Sequence, residues 1–198
     1  MLTGPEPRNA LNTQSTAYMG ALLRTALEGA DEIHICVSFL LSSGLGLVLP
    51  EFKDFLNRGG RLRLMVSTYL NVTQPDALRT LLILGKLGAL DLRLQDGPQG
   101  FHAKYYMFEC AGGERTCWVG SSNFTKSGLF GSVEWNTRHS GPAEVDACET
   151  QFETLWARPD SAPLTASLID AYEVRYRAAL KPDFHTLSIL PAGGPTPT

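Results

Sequence analysis

The sequence predicts an α/β domain: a mixed, largely parallel β-sheet with helices on both faces, in a single domain. Three observations predict it. Apolar, β-branched runs of strand length alternate with segments of helical spacing through the first half. Glycine or proline punctuates the helical segments. Of the 198 residues, 43% are hydrophobic and 19% charged, which is enough apolar material for one packed core.

Residues 1–13 are polar, hold two prolines, and are expected to be flexible. Helical spacing appears in Tyr18, Leu22, Leu23, Ala26 and Leu27 and stops at Gly29. Residues 32–39 form an apolar run that predicts a buried strand. Residues 44–57 read as one helix, closed by Gly59 and Gly60. Leu62, Leu64 and Val66 alternate with Arg63 and Met65, which predicts a strand over 61–67. A helix starts at Gln74, with Pro75 in its first turn, and runs through Leu87. Residues 90–94 are a short strand. This βαβαβ order implies parallel pairing.

The second half changes style. Strands are predicted over 102–109 and 115–120, joined by the Ala111-Gly112-Gly113 turn. Residues 121–130 are a loop entering a short helix, and 133–139 a further strand. Residues 145–156 and 168–180 read as closing amphipathic helices. The folded domain is thus expected over 14–185. Residues 186–198, with three prolines and two glycines near the end, read as a tail or linker.

Charge excludes one easy inference. The net charge is −3, near neutral through residue 141 and acidic beyond it. A nucleic-acid binder recognised by charge alone would be strongly basic, so any phosphate binding must come from a local site. The four cysteines, Cys36, Cys110, Cys117 and Cys148, match no zinc spacing. Cys36 reads as a small buried hydrophobe, and Cys110 and Cys117 flank a turn where they can face each other. No leader-like start and no membrane-length apolar run is present, so a cytoplasmic chain without a membrane role is expected.

The chemistry concentrates in three pieces. On a strand, His102 and Lys104 share one face. An imidazole beside an ammonium calls for an anion between them: His102 can attack or carry a proton, and Lys104 can balance a phosphate oxygen. Gly120-Ser121-Ser122-Asn123 follows, a small polar loop entering a helix, where free N–H groups seat anions. Glu134 comes next and can accept the second N–H of an imidazole. Alone, each piece reads as structural: a solvated His-x-Lys, a helix cap, a surface glutamate. Their order within 33 residues gives them joint meaning.

These residues resemble the phospholipase D superfamily signature, His-x-Lys, then an acid, then Gly-Ser-x-Asn. The matching positions are His102, Lys104, Glu109, Gly120, Ser121 and Asn123. The family's Asp is Glu109 here, which bears on local geometry rather than on the chemistry. The Asn-Phe-Thr-Lys-Ser-Gly-Leu run from Asn123, the Glu-Trp-Asn at 134–136, and the Val37-Ser38-Phe39 and Ser67-Thr68-Tyr69 segments are similar to a narrower group. That group comprises N-terminal domains of bacterial superfamily 2 helicases linked to restriction or repair, and related nucleases.

The resemblance implies a phospholipase D-like fold and metal-independent cleavage of a phosphodiester, without cofactor. A chain with one motif implies a homodimer whose two sets meet at one site. The catalytic set is then His102, Lys104, Asn123 and Glu134, supported by Glu109, Ser121 and Gly120. Ser122, Thr125, Lys126 and Tyr69 are the substrate-binding candidates. Arg58, Arg61, Arg63 and Arg138 can meet further phosphates, or be solvated surface charge. Tyr69 and Phe124 line the cleft or pack in the core. DNA is the expected substrate, with a helicase domain or subunit as possible partner. Two other readings stay open: a catalytically quiet docking module for DNA or a partner, and a phosphatidyl or phosphoryl transferase. A metallonuclease is disfavoured, because these pieces lack clustered carboxylates.

Overall fold

In a computed structural model the chain is described over residues 11–12 and 18–180. The expected tail at 186–198 and most of the expected flexible N-terminus lie outside the described residues. One eight-stranded sheet organises the domain. Its strands are β1 (Leu11–Asn12), β2 (Ala30–Val37), β3 (Arg61–Ser67), β4 (Ala89–Gln95), β5 (Lys104–Cys110), β6 (Arg115–Gly120), β7 (Asn136–His139) and β8 (Ser161–Pro163). Their order across the sheet is β1-β7-β6-β5-β2-β3-β4-β8.

The sheet is mixed. Helical crossovers join β2 to β3 and β3 to β4, and both pairs are parallel. A tight turn joins β5 to β6, and residues 121–135, which include a short helix, join β6 to β7; both pairs are antiparallel. The two halves meet where β2 pairs antiparallel with β5, with Val37 opposite Lys104. Among the named strands, parallel pairing is confined to β2, β3 and β4.

Helices cover both faces. They are α1 (Met19–Gly29), α2 (Ser42–Leu45), α3 (Leu49–Asn57), α4 (Pro75–Leu84), α5 (Lys126–Phe130), α6 (Pro142–Trp156) and α7 (Ala166–Leu180). The alternation of strand side chains divides the core in two. Ile33, Ile35, Leu62, Leu64, Tyr106 and Phe108 face the larger core with Leu23, Phe52, Leu78 and Tyr172 from the helices. Cys36, Met65, Tyr105, Met107 and Cys117 face α6, meeting Val145, Phe152 and Trp156.

Several boundaries differ from the sequence reading. The single helix expected over 44–57 is two, because Pro50 sits in the first turn of α3 and starts it afresh. The strand expected from His102 begins at Lys104. The strand expected from Val133 begins at Asn136. β1 and β8 were not anticipated; two or three residues carry no periodicity, and Pro163 suits only an edge. Cys117 is buried against Cys148 of α6, not turned toward Cys110, because its register partner on β5 is Met107. All four thiols are free.

Candidate active site

The site forms at one end of the sheet's central strands. The carboxyl ends of parallel β2 and β3, the start of β5, the end of β6 and the start of β7 all meet there, because antiparallel neighbours reverse direction. Ligands in open α/β sheets collect at such carboxyl ends.

His102 lies in the segment before β5, not on a strand, and it is exposed. Period-two alternation therefore does not bring it to Lys104. A local fold does. The Lys104 Nζ donates to the His102 carbonyl at 2.8 Å and sits 2.9 Å from Nδ1 and 3.1 Å from Nε2 of the ring. Ser38 Oγ donates to the Ala103 carbonyl at 3.3 Å, tying this segment to the end of β2. Phe39 supplies the floor: its ring meets the His102 ring edge-on at 5.7 Å, and the Lys104 ammonium lies 5.9 Å from its centroid.

Electrostatics tune this pair. Lys104 is only 3% exposed, and burial pulls its pKa below the ordinary lysine value, with the negative charge of Glu134 opposing. Although His102 is exposed, partial desolvation of its ring, then the Lys104 charge, pulls the imidazole down as well. A depressed imidazole keeps a free lone pair near neutral pH, as a nucleophile or base requires.

Asn123 joins them. The segment after β2 bridges to the loop after β6: Phe124 N–H donates to Phe39 O at 3.0 Å, and Leu41 N–H to Phe124 O at 3.0 Å. This places Asn123 so that its Oδ1 accepts the Phe39 N–H at 3.0 Å. Glu134 accepts a hydrogen bond from the Ser121 hydroxyl, and that hydroxyl accepts the Trp135 N–H at 2.9 Å. Glu134 thus sits beside Lys104 electrostatically, and its hydrogen bond goes to Ser121 rather than to His102. Gly120 is needed by close approach: a Cβ there would lie 2.1 Å from the Trp135 carbonyl.

The remaining candidates divide. Tyr69 is 39% exposed at the rim, stacked on Phe39 at 6.5 Å and edge-on to His102 at 6.2 Å. Lys126 is exposed at the start of α5. Ser122 is fully buried; its hydroxyl accepts from Asn136 Nδ2 at 2.8 Å and its carbonyl accepts from the Tyr106 hydroxyl. Thr125 caps α5, accepting the Gly128 N–H at 2.9 Å. Glu109 stands five residues along β5 from Lys104, roughly 17 Å away at strand rise, opposite Glu32 and Arg115. Phe124 is buried in the core against Phe52.

The arginines around β3 are engaged elsewhere. Arg58 donates to the Leu27 and Ala30 carbonyls, Arg61 pairs with Glu32, and Arg63 pairs with Glu153. Carboxylates and a histidine do gather away from the site, at His34, Glu149 and Glu153 on the α6 face. Their groups are already committed to one another, to Arg63 and to the Tyr105 hydroxyl.

Sequence reasoning did not single out Phe39 as a site residue. Its signal is positional: it lies two residues past the end of β2, where the parallel strands discharge into the site. Trp135 was likewise noticed only as part of a similar run, yet it is 70% exposed beside Ser121 and Glu134.

A mixed sheet that brings a histidine, a buried lysine and an asparagine amide to one end of its central strands is the arrangement of a phospholipase D-like α/β domain. The chain belongs to the phospholipase D-like family: residues 22–156 match the family described as the cardiolipin synthase, PLD-like domain. Solved structures agree on the fold. The phospholipase D family member Nuc from Salmonella typhimurium superposes with a TM-score of 0.60 at 16% identity, covering 80% of this chain and 99% of that one. NucT from Helicobacter pylori gives 0.59 at 11%, covering 79% and 98%. The phosphatidylserine synthase of Haemophilus influenzae gives 0.59 at 12%, covering 86% and 46%. No curated protein sequence matches the chain.

Proposed function

We propose that the protein is a metal-independent nuclease that cleaves DNA through a phosphohistidine, at a site completed by a second copy of the chain. The carrying observation is the Lys104 ammonium held against a pKa-depressed His102, with the Asn123 amide at the same end of the central strands. The His102 imidazole attacks phosphorus, a P–N bond forms and a P–O bond breaks. His102 of the second copy gives its proton to the leaving oxygen, then takes one from water. That water attacks phosphorus, breaks the P–N bond and returns the free imidazole. Lys104 and Asn123 hold the phosphoryl oxygens, and Ser121 with Glu134 braces the loop. Two copies are needed because one His102 cannot be nucleophile and acid in the same step. The resemblance to helicase-associated domains supports a role in restriction or repair, beside a helicase domain or subunit.

The test incubates labelled single- and double-stranded DNA with wild type and His102→Ala in excess chelator. Cleavage by wild type alone is expected. Binding without cleavage by either makes the protein a docking module. Activity lost to chelator overturns the metal-independent route. Transfer of the phosphoryl group to an added alcohol, outcompeting water, makes it a transferase.

A further inference from the structure

Two aromatic residues, Trp135 and the partly exposed Tyr69, lie on chain segments to either side of Lys104 in the strand order. Trp135 is 70% exposed, unusual for a side chain with so much apolar area. Its backbone is nonetheless fixed. Its N–H donates to Ser121 Oγ at 2.9 Å, its carbonyl accepts the Ser121 N–H at 3.0 Å, and Gly120 packs beneath it. The indole is therefore held out from a rigid base.

Tyr69 is also pre-positioned. Its ring lies parallel to Phe39, within 2°. Gly100 packs against it so closely that a Cβ there would lie 2.5 Å from the ring. The chain just after it is strained: Leu70 and Asn71 are consecutive non-glycine residues at φ 57° and 52°, and Leu70 is 66% exposed. Such backbone persists where surroundings enforce it, and it clusters at binding sites.

Sheet order sets the spacing. Trp135 immediately precedes β7, Lys104 begins β5, and Tyr69 follows β3 by two residues. The backbone at each residue thus lies two strands from Lys104, roughly 10 Å to either side, and the Tyr69 ring reaches to 6.2 Å from the His102 ring.

We propose that Trp135 and Tyr69 are stacking platforms for unpaired nucleobases, so that the site takes single-stranded nucleic acid in preference to duplex. The proposal rests on the nuclease reading above. Bases in a duplex hide their faces within the stack, and only unpaired ones can lie on an exposed ring. Duplex affinity, by contrast, comes mainly from rows of cations. Here Arg58, Arg61 and Arg63 are bound to protein groups away from this end of the sheet, and the chain's net charge is −3. Val119 and Val133, near Trp135 in the chain and the sheet, are also exposed, and a second copy can cover this side. Such a cover accounts for one flank and leaves Tyr69 unexplained on the other.

The test measures binding of a fluorescein-labelled twelve-nucleotide oligo(dT), alone and annealed to oligo(dA), to His102→Ala protein in chelator. Tighter binding of the single strand is expected. Trp135→Leu in the same background should weaken it by on the order of 10- to 100-fold, with little change for duplex, and Trp135→Phe should restore most of it. Tyr69→Leu should act in the same direction. Equal affinity for strand and duplex, or no effect of Trp135→Leu, overturns the proposal. So does a Trp135→Leu protein that sediments as monomer where the parent is dimer, since the ring then belongs to the second copy. Hydrolysis of bis(p-nitrophenyl) phosphate by wild type tests the nuclease reading separately. The binding comparison needs no turnover and reads out even if that hydrolysis fails.

Discussion

Asn123 Oδ1 accepts the Phe39 N–H at 3.0 Å, so the amide after β6 is fastened to the chain just past β2. The oxygen is spent on structure, which leaves the Nδ2 group as the part of this side chain available to an anion. The two halves of the amide thus do separable jobs.

Asn123→Asp separates them. The carboxylate still accepts from Phe39, but it loses the donor and adds negative charge where a phosphate must sit. Thermal unfolding should stay within a few degrees of wild type, while kcat/KM for a phosphodiester falls by about 10² or more. Equal activity in the two proteins would remove Asn123 from anion binding.

His102 should titrate below the ordinary imidazole value of about 6.5, because partial desolvation and Lys104 both disfavour its charged form. Lys104→Met removes one of those causes, so the His102 pKa should rise. The measurement is the pH titration of the His102 ring proton by NMR in the two proteins. A downward shift or none in Lys104→Met would mean that the contact between the two does not set the protonation of the ring.

How much of this was readable in advance follows from the range of each signal. Strands β2 and β3 and their crossover helices were legible, because buried runs and helical spacing are local. The candidates His102, Lys104 and Asn123 stood out because they come in motif order, and the contact of Lys104 with His102 follows from their being two residues apart. The meeting of Phe39 with Asn123 was not, since a hydrogen bond across 84 residues leaves no local trace. The burial of Ser122 beneath Asn136 was also hidden, because a serine in a polar loop looks the same whether it faces solvent or the core. The displacement of Glu109 to the far end of β5 was masked by its match to a motif position.

On the other face, α6 is held to the sheet through Glu149. Its carboxylate meets His34 Nδ1 at 2.6 Å and accepts from the Tyr105 hydroxyl at 2.6 Å. Burial alone raises the Glu149 pKa, but these hydrogen bonds and the neighbouring cations outweigh it and hold it below the usual glutamate value. A depressed carboxylate contributes stability that is present above its unfolded pKa of about 4.3 and is lost as pH falls through the folded value. Glu149→Gln should therefore cost about 1–3 kcal/mol at neutral pH and flatten the loss of stability below about pH 4. Urea unfolding at pH 7 and at pH 3.5 checks both, and a mutant penalty as large at the acid pH would show that the charge is not what matters.

Gly120 offers the sharpest link from backbone to site. It pairs with Asn136 across β6 and β7, and a Cβ on it would lie 2.1 Å from the Trp135 carbonyl and 2.6 Å from the Asn136 Cα. Both obstacles include backbone, so no rotamer change relieves them. Gly120→Ala must push the start of β7 away from β6. That breaks the Ser121–Trp135 hydrogen bonds and carries Glu134 away from Ser121 and Lys104. The expected cost is about 1–3 kcal/mol of stability, with a loss of activity larger than that destabilisation alone would bring to a protein still folded at the assay temperature. Gly113→Ala is the comparison. Its φ of 81° strains an alanine, but a Cβ there meets nothing within 4 Å, and it sits in the hairpin at the opposite end of the sheet. It should lose stability and keep its turnover per folded molecule. If the two variants lost activity only in proportion to their unfolded fractions, the packing of Gly120 under Trp135 would be a matter of stability alone.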